Sequence, residues 1–306
     1  MNVAAMSHEM TMRVAGYALL AFLMLFVAPA GGFARDLHIA AWNLEHLDDT
    51  GGEGCVGRSS TDYAALARQI EELGADIVAF QEVENEAAAR RVFPASEWHV
   101  EMSGRAPMKR SRACWGKPEA RLGHLATGFA IRKGIRYRRN ADLKTLGGED
   151  AFQRWGTDIT VMAGGRELRL VSVHLRTGCW GRKQDRGNKS RKACAILRDQ
   201  IESLRAWVDA RRTEGDAFVI LGDFNRRLAL PGDWAWRLLS PPSAPLLLLT
   251  EDAPFRCDPR FPAFIDHIVV GGGAKAMRVE GSFREWPRRG PHPDHCAVSA
   301  EFRARP

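Results

Sequence analysis

The sequence predicts an α+β domain in which two β-sheets pack face to face and helices cover their outer faces, an α/β/β/α order of layers. Apolar runs with the length and β-branched content of strands recur along most of the chain. Only two segments have helical periodicity over a substantial length, residues 60–73 and 189–212. No linker, repeat or low-complexity segment divides the chain after residue 34, so one large domain is expected.

The first 34 residues have the features of a secretory signal peptide. Arg13 supplies a positive start, an apolar run follows from Val14 to Ala28, and small residues lead to Ala30 or Ala34 as cleavage points. The apolar run is short for a membrane span and is followed by proline and glycine, which favours cleavage over the alternative, a membrane anchor. We therefore expect an exported protein, secreted or periplasmic, whose mature domain covers residues 35–306.

The predicted elements follow one another in a regular order. The first helix begins with a serine/threonine/aspartate cap, and each helix has four apolar residues on one face. These faces are formed by Tyr63, Leu66, Ile70 and Leu73 and by Leu197, Ile201, Leu204 and Val208. Strands are expected at Leu37 to Leu44, Ala75 to Val83, Trp98 to Met102, Thr127 to Arg132, Thr157 to Met162, Glu167 to Leu175, Ala217 to Leu221, Leu246 to Thr250, Phe264 to Val270, Met277 to Ser282 and Ala297 to Phe302.

Polar residues stand at the tips of several of these strands. A layered fold would bring such tips to one rim, where they would form a site. The fragments are Trp42-Asn43-Leu44-Glu45, Phe80-Gln81-Glu82-Val83, Val173-His174-Leu175, Gly222-Asp223-Phe224-Asn225, Ile265-Asp266-His267 and Pro293-Asp294-His295.

The residue types in these fragments suit metal-assisted hydrolysis of a phosphodiester. That reaction needs an activated water and neutralised charge on the phosphoryl oxygens, which a hard cation such as Mg²⁺ or Mn²⁺ supplies when carboxylates bind it. Glu82 follows an apolar strand and is the first candidate ligand, and Asn43 offers a neutral carbonyl oxygen to the metal or its waters. The alternative is a solvated strand-end glutamate and a turn-forming asparagine.

The remaining polar tips suit acid and base roles. Asp223 and Asn225 would point the same way in an extended segment, with Asp223 deprotonating the water and Asn225 holding a phosphate oxygen. A hydrogen bond from Asp266 would fix His295 in one tautomer, and His174 would supply a second imidazole. The alternatives are an Asx turn at the end of a buried strand and histidines that serve only the core or the rim.

Taken in order, the six fragments resemble the endonuclease/exonuclease/phosphatase superfamily, which has the pancreatic deoxyribonuclease-like fold, over nearly all of the predicted mature chain. The resemblance implies a four-layered α/β/β/α sandwich of two mainly antiparallel sheets. It also implies a metal-dependent phosphodiesterase with Mg²⁺ or Mn²⁺, Ca²⁺ being a further option. The implied metal-side residues are Asn43, Glu82 and Asp294, the catalytic residues are His174, Asp223, Asn225, Asp266 and His295, and Arg154 would touch a phosphate unless it is an ordinary surface arginine.

One segment departs from the family pattern. Deoxyribonucleases of this fold pair the first histidine with a glutamate just before the strand that corresponds to Gly128 to Arg132. Here the sequence in that neighbourhood is Leu122-Gly123-His124-Leu125, and the nearest acid is Glu119. The resemblance therefore leaves the partner of His174 unidentified.

The charge distribution favours a polyanionic substrate. The chain has a net charge of +7, and the segment from Arg176 to Lys192 contains seven bases against Asp185 alone. A second basic stretch runs from Arg105 to Arg121. Such loops would track a phosphate backbone, with Trp180 or Trp115 stacking on a base, although two solvated loops are the alternative. The expected substrate contacts are Arg176, Arg182, Lys183 and Arg186.

The predicted function is an endonuclease of low sequence specificity acting on DNA or RNA, a monomer with no stable membrane partner. A phosphomonoesterase or phospholipid diesterase of the same fold is the alternative, and an exposed aromatic or apolar hairpin would favour it. A third class, a non-enzymatic binding module, is disfavoured because the set of polar tips is complete.

The six cysteines suit disulfide bonds in an exported chain. None has the spacing of a metal ligand pair such as C-x-x-C. Cys179 and Cys194 flank the basic loop and form the first expected bridge, and Cys55 and Cys114 form the next. Cys257 and Cys296 would pair last, unless Cys296 is a buried free thiol.

Overall fold

The computed structural model describes residues 36–108, 112–150, 152–180, 188–290 and 293–303. The predicted signal peptide lies outside these ranges. Within them, no helix has both the length and the apolar character that crossing a bilayer requires.

The described strands β1 to β14 are Leu37–Leu47, Ile77–Val83, Trp98–Met102, Ala113–Cys114, Lys117–Arg121, Ala126–Arg132, Tyr137–Arg139, Thr157–Ala163, Arg166–His174, Ala217–Asp223, Leu247–Leu248, Asp266–Gly272, Arg284–Trp286 and Ala297–Phe302. Helices α1 to α5 are Ser60–Leu73, Glu86–Arg90, Asn188–Thr213, Trp234–Leu239 and Ala274–Met277, and a 3₁₀ turn covers Lys144–Leu146.

The strands form two six-stranded sheets and one small hairpin, β4-β5. The spatial orders of the large sheets are β13-β14-β1-β2-β6-β3 and β11-β12-β10-β9-β8-β7. Each sheet has one parallel pair, β1 with β2 and β10 with β9, and its other pairs are antiparallel. A parallel pair needs a crossover connection, which α1 supplies in the first sheet and α3 in the second. The prediction of two mainly antiparallel sheets is confirmed.

Three apolar layers hold the sandwich together. The central layer lies between the sheets and joins Ile39 and Ile77 of the first to Leu170 and Val219 of the second. A second layer packs α1 on the outer face of the first sheet, and a third packs α3 on the outer face of the second sheet. The order of layers is therefore α/β/β/α, as predicted.

The two long helices lie where the apolar periodicity placed them. Helix α1 starts and ends at the predicted residues and buries the predicted face. Its N-cap is Ser59, whose hydroxyl accepts from the Asp62 amide at 3.3 Å while the Asp62 carboxylate accepts from the Ser59 amide at 2.7 Å. Gly74 ends the helix in the left-handed region with φ of 60°. Helix α3 extends the predicted span by one residue at each end.

The predicted strand from Met277 to Ser282 is wrong. Met277 ends the short helix α5, and the chain then turns before β13 begins at Arg284. The hydroxyl of Ser282 donates to the carbonyl of Val279 at 2.6 Å and accepts from the Glu301 amide at 3.0 Å, which stabilises the turn. Gly281 has φ of 72°, a conformation that a strand residue does not adopt. The predicted strand from Leu246 to Thr250 shortens to β11.

Three disulfides are present, and they match the expected pairs. Cys55 bonds to Cys114, Cys179 to Cys194 and Cys257 to Cys296, with Cα separations of 5.3, 4.9 and 5.7 Å. The alternative of a free thiol at Cys296 is therefore wrong. The first bridge ties the β4-β5 hairpin to the loop before α1, and the second ties the loop after β9 to α3.

Candidate active site

The sheet topology brings the polar tips together. In the first sheet the parallel strands β1 and β2 end at the same edge of the sandwich as the parallel strands β9 and β10 of the second sheet. The strands β14 and β12, which are antiparallel to them, begin at that edge. In the register of the second sheet, Asp223 pairs with both His174 and Asp266. The resulting cleft has a volume of about 300 Å³, and its lining includes Glu82, Arg154, His174, Asp223, Asn225, Asp266, Asp294 and His295.

The two sheets are locked together just behind this cleft. The amide nitrogen of Gln81 on β2 donates to the hydroxyl of Ser172 on β9 at 3.0 Å, and that hydroxyl donates to the carbonyl of Phe80 at 3.2 Å. Gly222 sits at the same place with φ of 133°, and a Cβ there would lie 2.2 Å from the carbonyl oxygen of Val173. Glycine is required at this close approach.

Glu82 presents an ionised carboxylate at the floor of the cleft. It accepts from the Asn43 side chain at 3.2 Å and from the His46 amide at 3.1 Å. Burial alone would raise its pKa, but the neighbouring His46, His174 and Arg154 outweigh burial and lower the pKa to about 2. Its φ of 59° lies in the left-handed region, where the β1-β2 and β2-β6 registers shift.

Asp223 lies at the centre of the cluster and is fully buried. One carboxylate oxygen accepts from the Asn225 amide at 2.7 Å, and the other accepts from the side chains of Asn43 and Asn225, both at 3.1 Å. The bond from the Asn225 amide makes this segment an Asx turn, with φ of 51° at Asn225, which is the alternative that the sequence offered to an extended stretch. Burial is the largest influence on the pKa of Asp223 and raises it, although His295 opposes the shift.

His295 and Asp266 form a hydrogen-bonded pair. The Nδ1 atom of His295 lies 2.7 Å from the Asp266 carboxylate, and its Nε2 atom lies 3.9 Å from carboxylate oxygens of both Asp223 and Asp294. The backbone carbonyl of His295 accepts from the Trp42 indole at 3.0 Å. Burial would lower the pKa of His295, but the carboxylates of Asp266 and Asp223 outweigh burial and raise it well above the usual value.

His174 is buried between the carboxylates and an arginine. Its Nε2 atom lies 3.5 Å from both Glu82 and Asp223, and Arg154 donates to that nitrogen at 2.9 Å. Burial, followed by the charge of Arg154, holds the pKa of His174 well below its usual value, so the ring is neutral. Its Nδ1 atom is buried and has no hydrogen-bond partner among the described residues. His124 lies in the segment that departs from the family pattern. It is also buried, and neither of its ring nitrogens has a hydrogen-bond partner among the described residues.

The other predicted site residues differ in their exposure and contacts. Asp294 is exposed; its amide donates to the Glu45 carboxylate at 2.9 Å and its side chain faces His295. Arg154 is buried, so the alternative of an ordinary surface arginine is wrong. Arg176 is half-buried and its backbone amide donates to Gln200 at 2.7 Å. Arg182, Lys183 and Arg186 lie outside the described residues.

The donor set fits a hard divalent cation. Asn43 contacts the ionised Glu82 carboxylate through its amide nitrogen, at 3.2 Å, while its carbonyl oxygen accepts from the Glu45 amide at 2.9 Å. Asp223, Asp266 and His295 present ligand atoms within 4.8 Å of one another. Carboxylate and amide oxygens are the ligands that Mg²⁺, Mn²⁺ and Ca²⁺ prefer. A second cluster with ligand-like spacing consists of Cys257, Glu285 and Cys296, but its two cysteines form a disulfide.

Several residues of the site escaped prediction from the sequence. His46 approaches Glu82 from the irregular end of β1, with Nδ1 3.5 Å from the carboxylate, and its only sequence signal was closeness to Asn43. Phe261 lines both the cleft and a neighbouring cavity, and Arg227 lines that cavity. Neither residue stands in a sequence motif that would have indicated this position. His267 follows Asp266 but is structural, because it is fully buried. Its Nε2 atom donates to the Arg226 carbonyl at 2.8 Å, and its Nδ1 atom accepts from the Thr250 hydroxyl at 2.6 Å.

Comparisons with known proteins agree with this architecture. The model of the Endonuclease/Exonuclease/phosphatase family matches residues 40–289. Among solved structures, AP endonuclease LMAP from Leishmania major has a TM-score of 0.59 and 13% identity, with 89% of each chain covered. Truncated TDP2 from Caenorhabditis elegans has a TM-score of 0.57 and 17% identity, covering 87% of this chain and 97% of that one. An endonuclease/exonuclease/phosphatase from Bacteroides vulgatus has a TM-score of 0.56 and 15% identity, covering 88% and 98%. No curated protein matches the chain.

Proposed function

Because the chain belongs to the endonuclease/exonuclease/phosphatase family, we propose that it is an exported, metal-dependent phosphodiester hydrolase. More specifically, we propose an endonuclease of low sequence specificity that acts on DNA or RNA as a monomer, without a stable membrane partner. The observation that carries the proposal is the convergence of an ionised carboxylate, Glu82, a buried carboxylate, Asp223, and the His295–Asp266 pair in one cleft.

The cleft residues have chemistry suited to each part of this reaction. Glu82 and Asn43 would hold the cation, with Asp294 as a further carboxylate, and a bound Mg²⁺ or Mn²⁺ neutralises charge on the phosphoryl oxygens. Ca²⁺ is a further option for the same oxygen ligands. Asp223 accepts the proton of the attacking water, and its raised pKa suits that role.

The remaining groups would bind the phosphate. The protonated ring of His295 is held in place by Asp266, so its Nε2 atom can donate to a phosphoryl oxygen. Asn225 would hold a second oxygen through its amide nitrogen, which would exchange one of its bonds to Asp223 and the Leu175 carbonyl, at 3.1 and 3.2 Å, for the phosphate. Arg154 adds positive charge beside the neutral His174. This charge supports the proposal that Arg154 and His174 both contact the phosphate.

Export is supported by the three disulfides, which persist in oxidising compartments. Cleavage after the predicted signal peptide, residues 1–34, belongs to the same proposal. N-terminal sequencing of protein recovered from the medium or periplasm would test it. Recovery of chains that still begin at Met1 would contradict it.

A substrate panel tests the proposed activity. Purified mature protein is incubated with plasmid DNA, RNA, sphingomyelin and inositol phosphates, with and without Mg²⁺. We expect internal cleavage of DNA or RNA that requires the cation and stops on addition of EDTA. Hydrolysis of only a phospholipid or a phosphomonoester would reject the nuclease, and no hydrolysis of any substrate would reject the enzyme.

Charge on the loop after β9 provides a second prediction. If Arg182, Lys183 and Arg186 contact a nucleic-acid backbone, their replacement by alanine should raise KM for DNA. It should also lower the slope of log affinity against log salt by about two or three units, because fewer counterions are released. The measurement is DNA binding and cleavage over a series of salt concentrations.

The matched control replaces three exposed bases far from the cleft, Lys133, Arg136 and Arg138. They follow β6, which runs away from the cleft because Ala126 pairs with Val83 at the site and Ile131 pairs with Ile77 at the far end. The control should leave the salt slope unchanged. Equal slopes for both triple variants would mean that the loop does not touch the substrate.

One observation favours a phospholipid diesterase as a second candidate. Trp115 is fully exposed at the tip of the β4-β5 hairpin, which the Cys55–Cys114 bridge anchors. An exposed aromatic hairpin is the feature that favours membrane contact. By contrast, the apolar run from Leu246 to Leu249 belongs to the core, because Leu246 and Leu248 are buried. Loss of vesicle binding and of sphingomyelin hydrolysis in Trp115→Ala would support this candidate.

A further inference from the structure

A second cavity opens beside the catalytic cleft. It has a volume of about 360 Å³, and we call it the aromatic pocket; its lining includes Trp180, Ser190, Arg227, Phe261 and Ile265. Trp180, Phe261 and Ile265 also line the catalytic cleft, and Ile265 directly precedes Asp266. A substrate bound through its phosphate near His295 therefore has a contiguous space into which its neighbouring group can extend.

We propose that the aromatic pocket binds an unpaired nucleobase next to the scissile phosphate, so that the enzyme prefers single-stranded nucleic acid. This inference rests on the proposed phosphodiesterase function and names the substrate class of that site. A base inside a duplex has both faces covered by its neighbours, so it cannot stack on a protein ring without leaving the helix.

Arg227 shows what kind of ligand the pocket suits. Its guanidinium carbon lies 5.6 Å from the ring centroid of Trp180 and 5.9 Å from that of Phe261. One guanidinium nitrogen donates to the Trp180 carbonyl at 3.2 Å. Its Nε atom is buried and has no hydrogen-bond partner among the described residues. The wall of the pocket therefore combines aromatic faces with a guanidinium group that has one unpaired donor.

A nucleobase matches both features, and an acyl chain matches only one. The flat face of a base stacks on an aromatic ring or on a guanidinium plane, while its carbonyl and ring nitrogens accept hydrogen bonds. An acyl chain would cover the rings but would leave the Nε donor of Arg227 buried and unpaired. The pocket chemistry thus favours a base over a lipid tail.

The rings on both sides of the pocket are held in place before any ligand binds. Trp180 follows Cys179, which is bonded to Cys194 and whose carbonyl accepts from Arg226 at 2.8 Å. Arg226 is itself paired with Asp233 at 2.7 Å. On the other side, the loop that carries Phe261 is bonded through Cys257 to Cys296, next to His295. Such preorganised aromatic walls reduce the entropy that a ligand must lose on binding.

Equilibrium binding in EDTA tests the pocket separately from catalysis. Fluorescence anisotropy measures the affinity of the mature protein for a fluorescein-labelled oligothymidylate and for the same strand annealed to its complement. We expect Trp180→Ala and Phe261→Ala each to weaken single-strand binding by about 10-fold and to change duplex binding little. Phe261 is half-exposed, so its truncation leaves the core intact even if Trp180→Ala fails to fold.

The matched control is His99→Ala, which removes an exposed aromatic ring of β3 that lines neither the pocket nor the cleft. It should bind the single strand as the wild type does. Hydrolysis of bis(4-nitrophenyl) phosphate with Mg²⁺ gives a second readout, which reports on the catalytic cleft, and His99→Ala should equal the wild type in it.

The outcomes separate the pocket from the proposed function. If the wild type hydrolyses the small diester but Trp180→Ala and Phe261→Ala bind the single strand normally, the base pocket is wrong and the hydrolase stands. If the wild type hydrolyses no phosphodiester, the proposed function is wrong whatever the anisotropy shows. Loss of binding to phosphatidylcholine and phosphatidylserine vesicles in Phe261→Ala, with normal oligonucleotide binding, would assign the pocket to a lipid and overturn the inference.

Discussion

His295→Ala should lower kcat for any phosphodiester substrate by about 100-fold or more, the usual scale for a lost acid or base. The ring is held by Asp266 at 2.7 Å and carries its second nitrogen to 3.9 Å from Asp223, at the centre of the cleft. Its raised pKa keeps it protonated, so the variant loses both a donor and a positive charge beside the phosphate. Steady-state kinetics with saturating Mg²⁺ measure the effect.

Two further variants define the role of His295. Asp266→Asn keeps the ring but removes its charged partner, and we expect a smaller loss of about 10-fold, typical of a residue that orients another. His99→Ala removes an exposed histidine on β3 and serves as the matched control, with no expected change in rate. A rate for His295→Ala near that of His99→Ala would exclude His295 from the reaction.

Glu82→Gln should also lower kcat by about 100-fold or more and should raise the Mg²⁺ concentration needed for half-maximal activity. The substitution keeps the size of the side chain but removes a charge that is fully developed at neutral pH, since the pKa of Glu82 is about 2. A neutral amide binds a hard cation much more weakly than a carboxylate does. Titration of activity with Mg²⁺ provides both quantities.

Glu86→Gln is the matched control for this substitution. Glu86 is an exposed residue of α2 and forms an ion pair at 3.0 Å with Arg90, which lies four residues further along the same helix. We expect its rate and its Mg²⁺ dependence to equal those of the wild type. If Glu82→Gln showed the same unchanged Mg²⁺ dependence, Glu82 would not be a metal ligand, and the Asp223, Asp266 and His295 cluster would become the stronger candidate.

Much of the fold was predictable because its signals are local. Helix α1 and the strands β3 and β14 have the predicted bounds, since apolar periodicity, caps and turn residues act over a few neighbouring positions. The Cys179–Cys194 disulfide was also predictable, because these cysteines flank one loop, whereas the pairing of Cys257 with Cys296 was left open by the sequence. The segment from Met277 to Ser282 was mispredicted because Gly281 and the Ser282 hydroxyl favour a turn that apolar content does not reveal.

The chemical identity of the cleft follows from residue types and their order, since strand-end carboxylates, amides and histidines are readable one fragment at a time. Apart from the Asp266–His295 hydrogen bond and the Asx turn at Asp223, the contacts among them are not, because they join segments that are not adjacent in the chain. Arg154 donates to His174, and His46 flanks Glu82. Likewise, Trp180, Arg227 and Phe261 form one pocket only after two disulfide-anchored loops meet beside β12. Such meetings depend on which strands pair and in which register, which is a property of the packed sheets and not of any local stretch of sequence.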